Sequence, residues 1–351
     1  MPTFCRHGRF EASCAICRQE QTKAAPKAVT PRTKGGASRR PASSASAPVG
    51  SRTGAARTRG VVTGKLQRAA DDGYRSDLLP GVRSTADVLQ LAEQLVLAET
   101  RLAAYGGAQA GPWAAVAALA GEPHRAFIVA LVTALASPDS LAGSIATAAA
   151  AQEALEGGGD AAARGELAAI DELAALLAAG PRGPRAHDAT AAALAVPAQL
   201  AQRSEGGLES ALTGDASWSS ERRFARLFDR LALRGLPRAV RFDLLTALGR
   251  CGALPLRADA LHLGSDQVTD AAKRYFAVAD VALLERRAAA LVEATGVSID
   301  ALELALWNIA GADAGAGGAA ARWSTAKPVT DLGLPGEADD DQTQTLAELL
   351  R

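Results

Sequence analysis

Residues 218–310 restrict this chain most, because they read as one short amphipathic helix after another. In 221–234, Phe224, Leu227, Phe228 and Leu231 recur at i, i+3, i+4 and i+7, which makes one apolar stripe. Arg222, Arg223, Arg226, Arg230 and Arg234 lie mostly off that stripe. Ser219 or Ser220 is placed to cap this helix, and Gly235 with Pro237 stops it. A second helix is expected over 238–249, with Val240, Leu244, Leu245 and Leu248 inward, and a break over 249–255. A third spans about 265–275, opened by Ser265 or Asp266. A fourth spans 281–295 and ends at Gly296. Ser298-Ile299-Asp300 opens a fifth, over 299–310, which carries Trp307 and Asn308. No stretch alternates as a half-buried strand does. The expected fold is all-α, a compact helical bundle.

Alanine inflates the 48% hydrophobic content, and only 4% of the residues are aromatic. The core must therefore be Leu, Val and Ala between closely packed helices. The formal charge of +0 hides an asymmetry. Residues 1–70 hold 14 Lys+Arg against 2 Asp+Glu, a net of 14 − 2 = +12; residues 331–351 hold 1 base against 6 acids, a net of −5. The expected organisation is a zinc-binding element over 1–20, a disordered basic linker over 21–77, a helical domain over 78–310 and a disordered acidic tail over 311–351. Within the tail, 344–350 forms a short amphipathic end suited to docking. The linker lacks the large apolar side chains that would offset the entropy of ordering it. Its positive charge would attract phosphates without choosing a sequence, or it is a solvated tether.

No uncharged apolar run reaches about 18 residues, which excludes a membrane-spanning helix as an expectation. The N-terminus has no hydrophobic signal core, which argues against secretion. Three of the four cysteines fall within the first 17 residues, and Cys251 stands alone. That is no disulfide framework. It fits a reducing, cytoplasmic setting, with association to the nucleoid as an option. The early group is Cys5, His7, Cys14 and Cys17, four zinc-type ligands within thirteen residues. A closed shell of three Cys and one His marks a structural Zn2+ site rather than a catalytic one, which needs an open position. The alternatives are a free redox pair or cysteines in a disordered arm.

Leu79-Pro80-Gly81-Val82 resembles the loop of helix-hairpin-helix DNA binders, in which backbone N–H groups hold a phosphate. The usual second glycine is Arg83 here. The other reading is a plain turn, followed by a helix capped by Ser84 or Thr85 with Val88, Leu91, Leu95 and Leu102 inward. Two helices separated by Gly121-Glu122-Pro123-His124 fill 112–136. Ala- and Leu-rich helical segments over 140–215 complete the bundle.

The run RFDLLTALGR, followed by LHLGSDQVTDAAKRYFAVADVALLERRAAALVEATGVSIDALELALWN, resembles the α-glutamyl/putrescinyl thymine pyrophosphorylase family, clade 3. The likeness is best over 218–310. It implies a helical, DNA-glycosylase-like fold and a reaction on DNA, in which an amine replaces pyrophosphate on a hydroxymethyl-pyrimidine diphosphate. The partners implied are DNA and an amine co-substrate, an amino acid or a polyamine. Such chemistry needs cations on the leaving group, a base near the amine and a pocket for an unstacked base. The catalytic candidates are Arg241, Asp243, Asp270, Lys273 and Asp280. The substrate-binding candidates are Trp218, Arg222, Arg226, Arg238, His262, Arg274, Trp307 and Asn308. Each has a plainer reading: surface ion pairs for the Arg–Asp sets, core packing for Trp307, a helix-end cap for Asn308. In the family, the turn 275–280 would carry glycines where this chain has Ala277 and Ala279. Two other functions stay open. One is a non-catalytic zinc-bearing DNA-binding protein. The other is a glycosylase-like enzyme that removes a modified base, for which Asp280 is the placed carboxylate.

Overall fold

The computed structural model describes residues 70–106, 113–136, 146–153, 191–233, 235–313 and 338–351. Cys5, His7, Cys14 and Cys17 lie outside them, as does the linker as far as residue 69. The described residues are helical, with no strand among them. In chain order the helices are α1 (Thr85–Gly106), α2 (Ala114–Ala118), α3 (Pro123–Leu135), α4 (Val196–Gln202), α5 (Gly207–Thr213), α6 (Ser220–Arg230), α7 (Arg238–Arg250), α8 (Gln267–Phe276), α9 (Val281–Thr295), α10 (Ile299–Asp313) and α11 (Asp340–Leu349). A helical stretch over 146–153 and a 3-10 turn, Ala191–Ala195, accompany them. None of these helices is long and apolar enough to cross a membrane.

Local chemistry accounts for most boundaries. Ser219 accepts from the Arg222 N–H and opens α6. Asp266 accepts from the Thr269 N–H and opens α8, and Asp280 accepts from the Leu283 N–H at 2.8 Å and opens α9. Pro123 sits in the first turn of α3, where its missing N–H costs nothing. Gly296, with φ 74°, ends α9. One end differs from expectation: α6 stops at Arg230 rather than at 234. Leu231 and Leu236 are both buried, so the chain leaves helical geometry to deliver them to the core.

Among the described residues the side chains form two large apolar cores and a small third cluster of Ala98, Leu102 and Ala301. The first joins Phe127, Leu131 and Leu135 of α3 to Phe224 and Leu227 of α6 and to Val240, Leu244 and Leu248 of α7. Every residue of α3 from Ala126 to Leu135 is buried. The second joins Leu91 and Leu95 of α1 to Tyr275 and Phe276 of α8, Leu284 and Leu291 of α9, and Leu302 and Leu306 of α10. Adjacent residues of α7 enter different cores, Ala239 the second and Val240 the first, so this helix lies at the seam.

Two expected boundaries move. Residues before 78 already belong to the fold: the Tyr74 hydroxyl and the Ser76 hydroxyl each donate to the Leu350 carbonyl at 2.6 Å. The tail expected to be disordered over 311–351 includes the last turn of α10 and all of α11. Leu346, Ala347 and Leu350 bury themselves in the second core, which supplies the apolar gain that a disordered tail lacks.

The Leu79–Val82 turn is also used within the fold. The Gly81 N–H donates to the Tyr275 carbonyl at 2.9 Å. A Cβ on Gly81 would stand 1.9 Å from the Arg274 carbonyl oxygen. The glycine is there to let this turn close onto the end of α8. Its N–H is thereby occupied and not offered to a phosphate, which corrects the hairpin reading.

Candidate functional site

The loop after α7 is held from two sides. Arg238 is 7% exposed at its side chain and pairs with Asp266 at 3.0 Å and with Glu303 of α10 at 2.8 Å. Its Nε donates to the His262 carbonyl at 2.9 Å, and its Nη2 donates to the Leu261 carbonyl. From the opposite side, Glu285 of α9 accepts from the Leu261 and Leu263 N–H groups, both at 2.8 Å. His262, between them, takes φ 49°. Its ring stacks on Phe228, with centroids 4.5 Å apart, and on Phe224 at 5.7 Å. Its Nε2 is buried without a hydrogen-bond partner. Burial pushes the imidazole pKa below its ordinary value, and Arg238 adds to this; Glu285, Asp259 and Asp229 pull the other way.

Beside this loop a cleft of about 760 Å³ opens between the two cores. Glu221 and Phe224 of α6 line it, with Thr246, Gly249 and Arg250 of α7, and Arg257 and Asp259 of the loop. Glu99 of α1 and Asp300 of α10 line it from the other side. Gly249 makes room for the loop: a Cβ there would meet the Leu256 carbonyl oxygen at 2.4 Å. Arg250 is committed to the α10 side. It binds Asp300 through both oxygens, at 2.7 and 2.9 Å, and donates to the Ser298 hydroxyl at 2.9 Å. Burial raises the Asp300 carboxyl, but the hydrogen bonds from Arg250 and Ser298 outweigh it and hold the net pKa low. The hydrogen bonds to Asp300 in turn raise Arg250, against its burial. Glu221 is held below the usual carboxylate range by its own backbone N–H and by Ser219, so it is an anion at neutral pH.

One face of α6 is aromatic and cationic. The Trp218 ring has the Arg222 guanidinium 5.0 Å from its centroid and that of Arg226 at 6.0 Å. Both arginines are exposed and Trp218 is half-buried. Arg223 donates to the Asp215 and Ala216 carbonyls, both at 3.0 Å, and ties the Trp218 turn to α6.

The residues expected from sequence do not gather in one place. Trp218, Arg222 and Arg226 share the α6 face. Arg238 and His262 are joined through the loop backbone. Arg241 stacks on Phe228 at 4.3 Å and donates to its carbonyl at 2.9 Å, so it props the His262 platform. Asp243 is half-buried on α7. Asp270 and Lys273 form a pair at 3.2 Å on the exposed side of α8. Asp280 caps α9 and is exposed. Arg274 is buried and pairs with Asp87 of α1 at 3.0 Å. Trp307 is a core residue, and the buried Asn308 side-chain amide donates to Gln94 at 3.1 Å. Asn308 is thus an inter-helix contact and not a helix-end cap.

The cleft residues Glu99, Glu221, Thr246, Arg257, Asp259 and Asp300 were missed as a group. Two of them carried a local signal, that of a helix start: Glu221 after Ser219 and Ser220, and Asp300 after Ser298. Among the described residues, no three His, Cys, Asp or Glu side chains gather as metal ligands would. Cys251 is buried, and burial pushes its thiol up to about 12, which makes it inert.

The described residues define an all-α fold with a polar cleft lined from both cores. No family model, curated protein or solved structure matches the chain.

Proposed function

We propose that this chain is a DNA base-modifying transferase, which exchanges the pyrophosphate of a hydroxymethyl-pyrimidine diphosphate for an amine. The reading rests on the resemblance of its C-terminal helices to the pyrophosphorylase family. The observation that best supports it is the cleft, about 760 Å³ in volume, with carboxylates and arginines side by side on its walls. That is room for a base drawn out of its stack. Asp259 or Glu221 accepts the proton of the attacking amine as the C–N bond forms. The C–O bond to the diphosphate breaks, its electron pair leaves with pyrophosphate, and Arg257 offsets that charge. Arg222, Arg226 and Trp218 meet the strand, the arginines at phosphates and the ring against a base.

Nucleoside mass spectrometry tests the reading. DNA bearing hydroxymethyluracil diphosphate is incubated with the protein and a panel of amino acids and polyamines. An amine-linked thymine is expected; an unchanged base contradicts the proposal, and loss of the base from the sugar would make the protein a glycosylase. A non-catalytic DNA-binding role is the second reading. It is favoured by the capping and surface-pair roles of Asp280, Asp270 and Lys273, and it predicts salt-sensitive binding without turnover.

A further inference from the structure

Thr246 lies within α7, is 7% exposed, and lines the cleft. Several threonines in other helices turn their hydroxyls back onto the carbonyl four residues earlier: Thr100 to Val96, Thr133 to Val129, Thr213 to Glu209 and Thr295 to Leu291. Thr269 bonds Asp266 instead, and Thr343 of α11 has no partner. Thr246 is like Thr343: its Oγ1 is buried and has no partner. An unpaired buried hydroxyl carries its full desolvation cost, whereas valine, of the same shape, carries none. Fold stability alone therefore favours valine at this position.

The surroundings point to what the hydroxyl serves. Phe224 and Leu256 are apolar members of the same lining, and Ser298, Arg250, Arg257 and Asp259 are polar ones. Threonine in a helix has two accessible χ1 rotamers, and moving between them re-aims Oγ1 without moving the backbone. A lining that sets an aromatic ring and aliphatic edges beside hydroxyls and charges suits a flat heterocycle with a hydrogen-bonding edge.

We propose that Thr246 reads the carbonyl edge of a pyrimidine ring held in the cleft, its hydroxyl donating to a ring oxygen. This is a specificity role and rests on the cleft being the base site.

The test compares wild type with Thr246→Val and Thr246→Ser. Ligand-observed NMR titration measures binding of thymidine and of 5-hydroxymethyl-2′-deoxyuridine, and thermal unfolding is recorded for each protein. Wild type and Thr246→Ser should bind; Thr246→Val should lose about tenfold in affinity, the contribution of one hydrogen bond. Its unfolding midpoint should equal or exceed that of wild type. Binding by Thr246→Val equal to wild type overturns the proposal, as does a lowered midpoint, which would give the hydroxyl a structural role. Wild type that binds neither nucleoside overturns it as well. The transferase reading is judged separately, by turnover of the modified DNA: binding without turnover removes that reading and leaves Thr246 as a base-reading contact.

Discussion

His262 occupies left-handed backbone, φ 49°, that a β-carbon makes costly by roughly 1–2 kcal/mol. The Arg238 and Glu285 hydrogen bonds to its neighbours hold it there. Its imidazole is disfavoured as a cation, so its folded pKa lies below the ordinary 6.5. The unfolded chain then binds the proton first. Stability contributed by His262 is fully present above pH 6.5 and is lost as pH falls from there toward the folded value. His262→Asn tolerates the same backbone and cannot titrate. The difference in unfolding free energy, wild type minus variant, should be flat above pH 6.5 and fall on acidification. A difference that stays flat down to about pH 5 would contradict the account. Arg238 carries the larger consequence. Arg238→Ala removes the ion pair of Glu303, 1% exposed, and the donors to two loop carbonyls. It should cost about 3–5 kcal/mol in urea unfolding, as breaking a buried pair does; a loss under about 1 kcal/mol would place Arg238 among ordinary surface pairs.

The α8–α9 connection tests the account at the level of elements. Ala277 ends α8 with φ 54°, a conformation better suited to glycine. Ala277→Gly should stabilise the protein by about 0.5–1 kcal/mol, the relief of strain less the added entropy of the unfolded chain. A fall in the urea midpoint would refute this. Asp280 and Gly296, the cap and stop of α9, are local signals, and the expected bounds 281–295 match the helix. Residues 231–233 of the expected 221–234 helix are not in α6, because Leu231 and Leu236 answer to the core rather than to their neighbours. The cleft was the least legible feature. Arg250 and Asp300 are fifty positions apart in sequence, and Glu99 comes from α1. Charge pairing at that separation leaves no periodic trace. Arg241, Asp270 and Lys273 looked catalytic by spacing, yet spacing cannot tell a prop or a surface pair from a site.

Across the whole molecule, two cores meet at α7, and the cleft lies where they meet. α11 closes the second core against α1, and Tyr74 and Ser76 fasten its end. Ending the chain after residue 338 removes two buried leucines, at roughly 1.5–3 kcal/mol each. The thermal midpoint should drop well below that of the full chain, and an unchanged midpoint would mean that α11 does not dock in solution. The central claim is that chemistry takes place in the cleft and not on the outer sides of α8 and α9. The most direct measurement is nucleoside mass spectrometry of modified DNA and amine with two sets of variants. Arg257→Ala and Asp259→Asn should abolish or sharply reduce the amine-linked product at unchanged stability. Lys273→Met and Asp280→Asn, which keeps the helix cap, should leave it intact. Loss of product in the second set and not in the first would contradict the account.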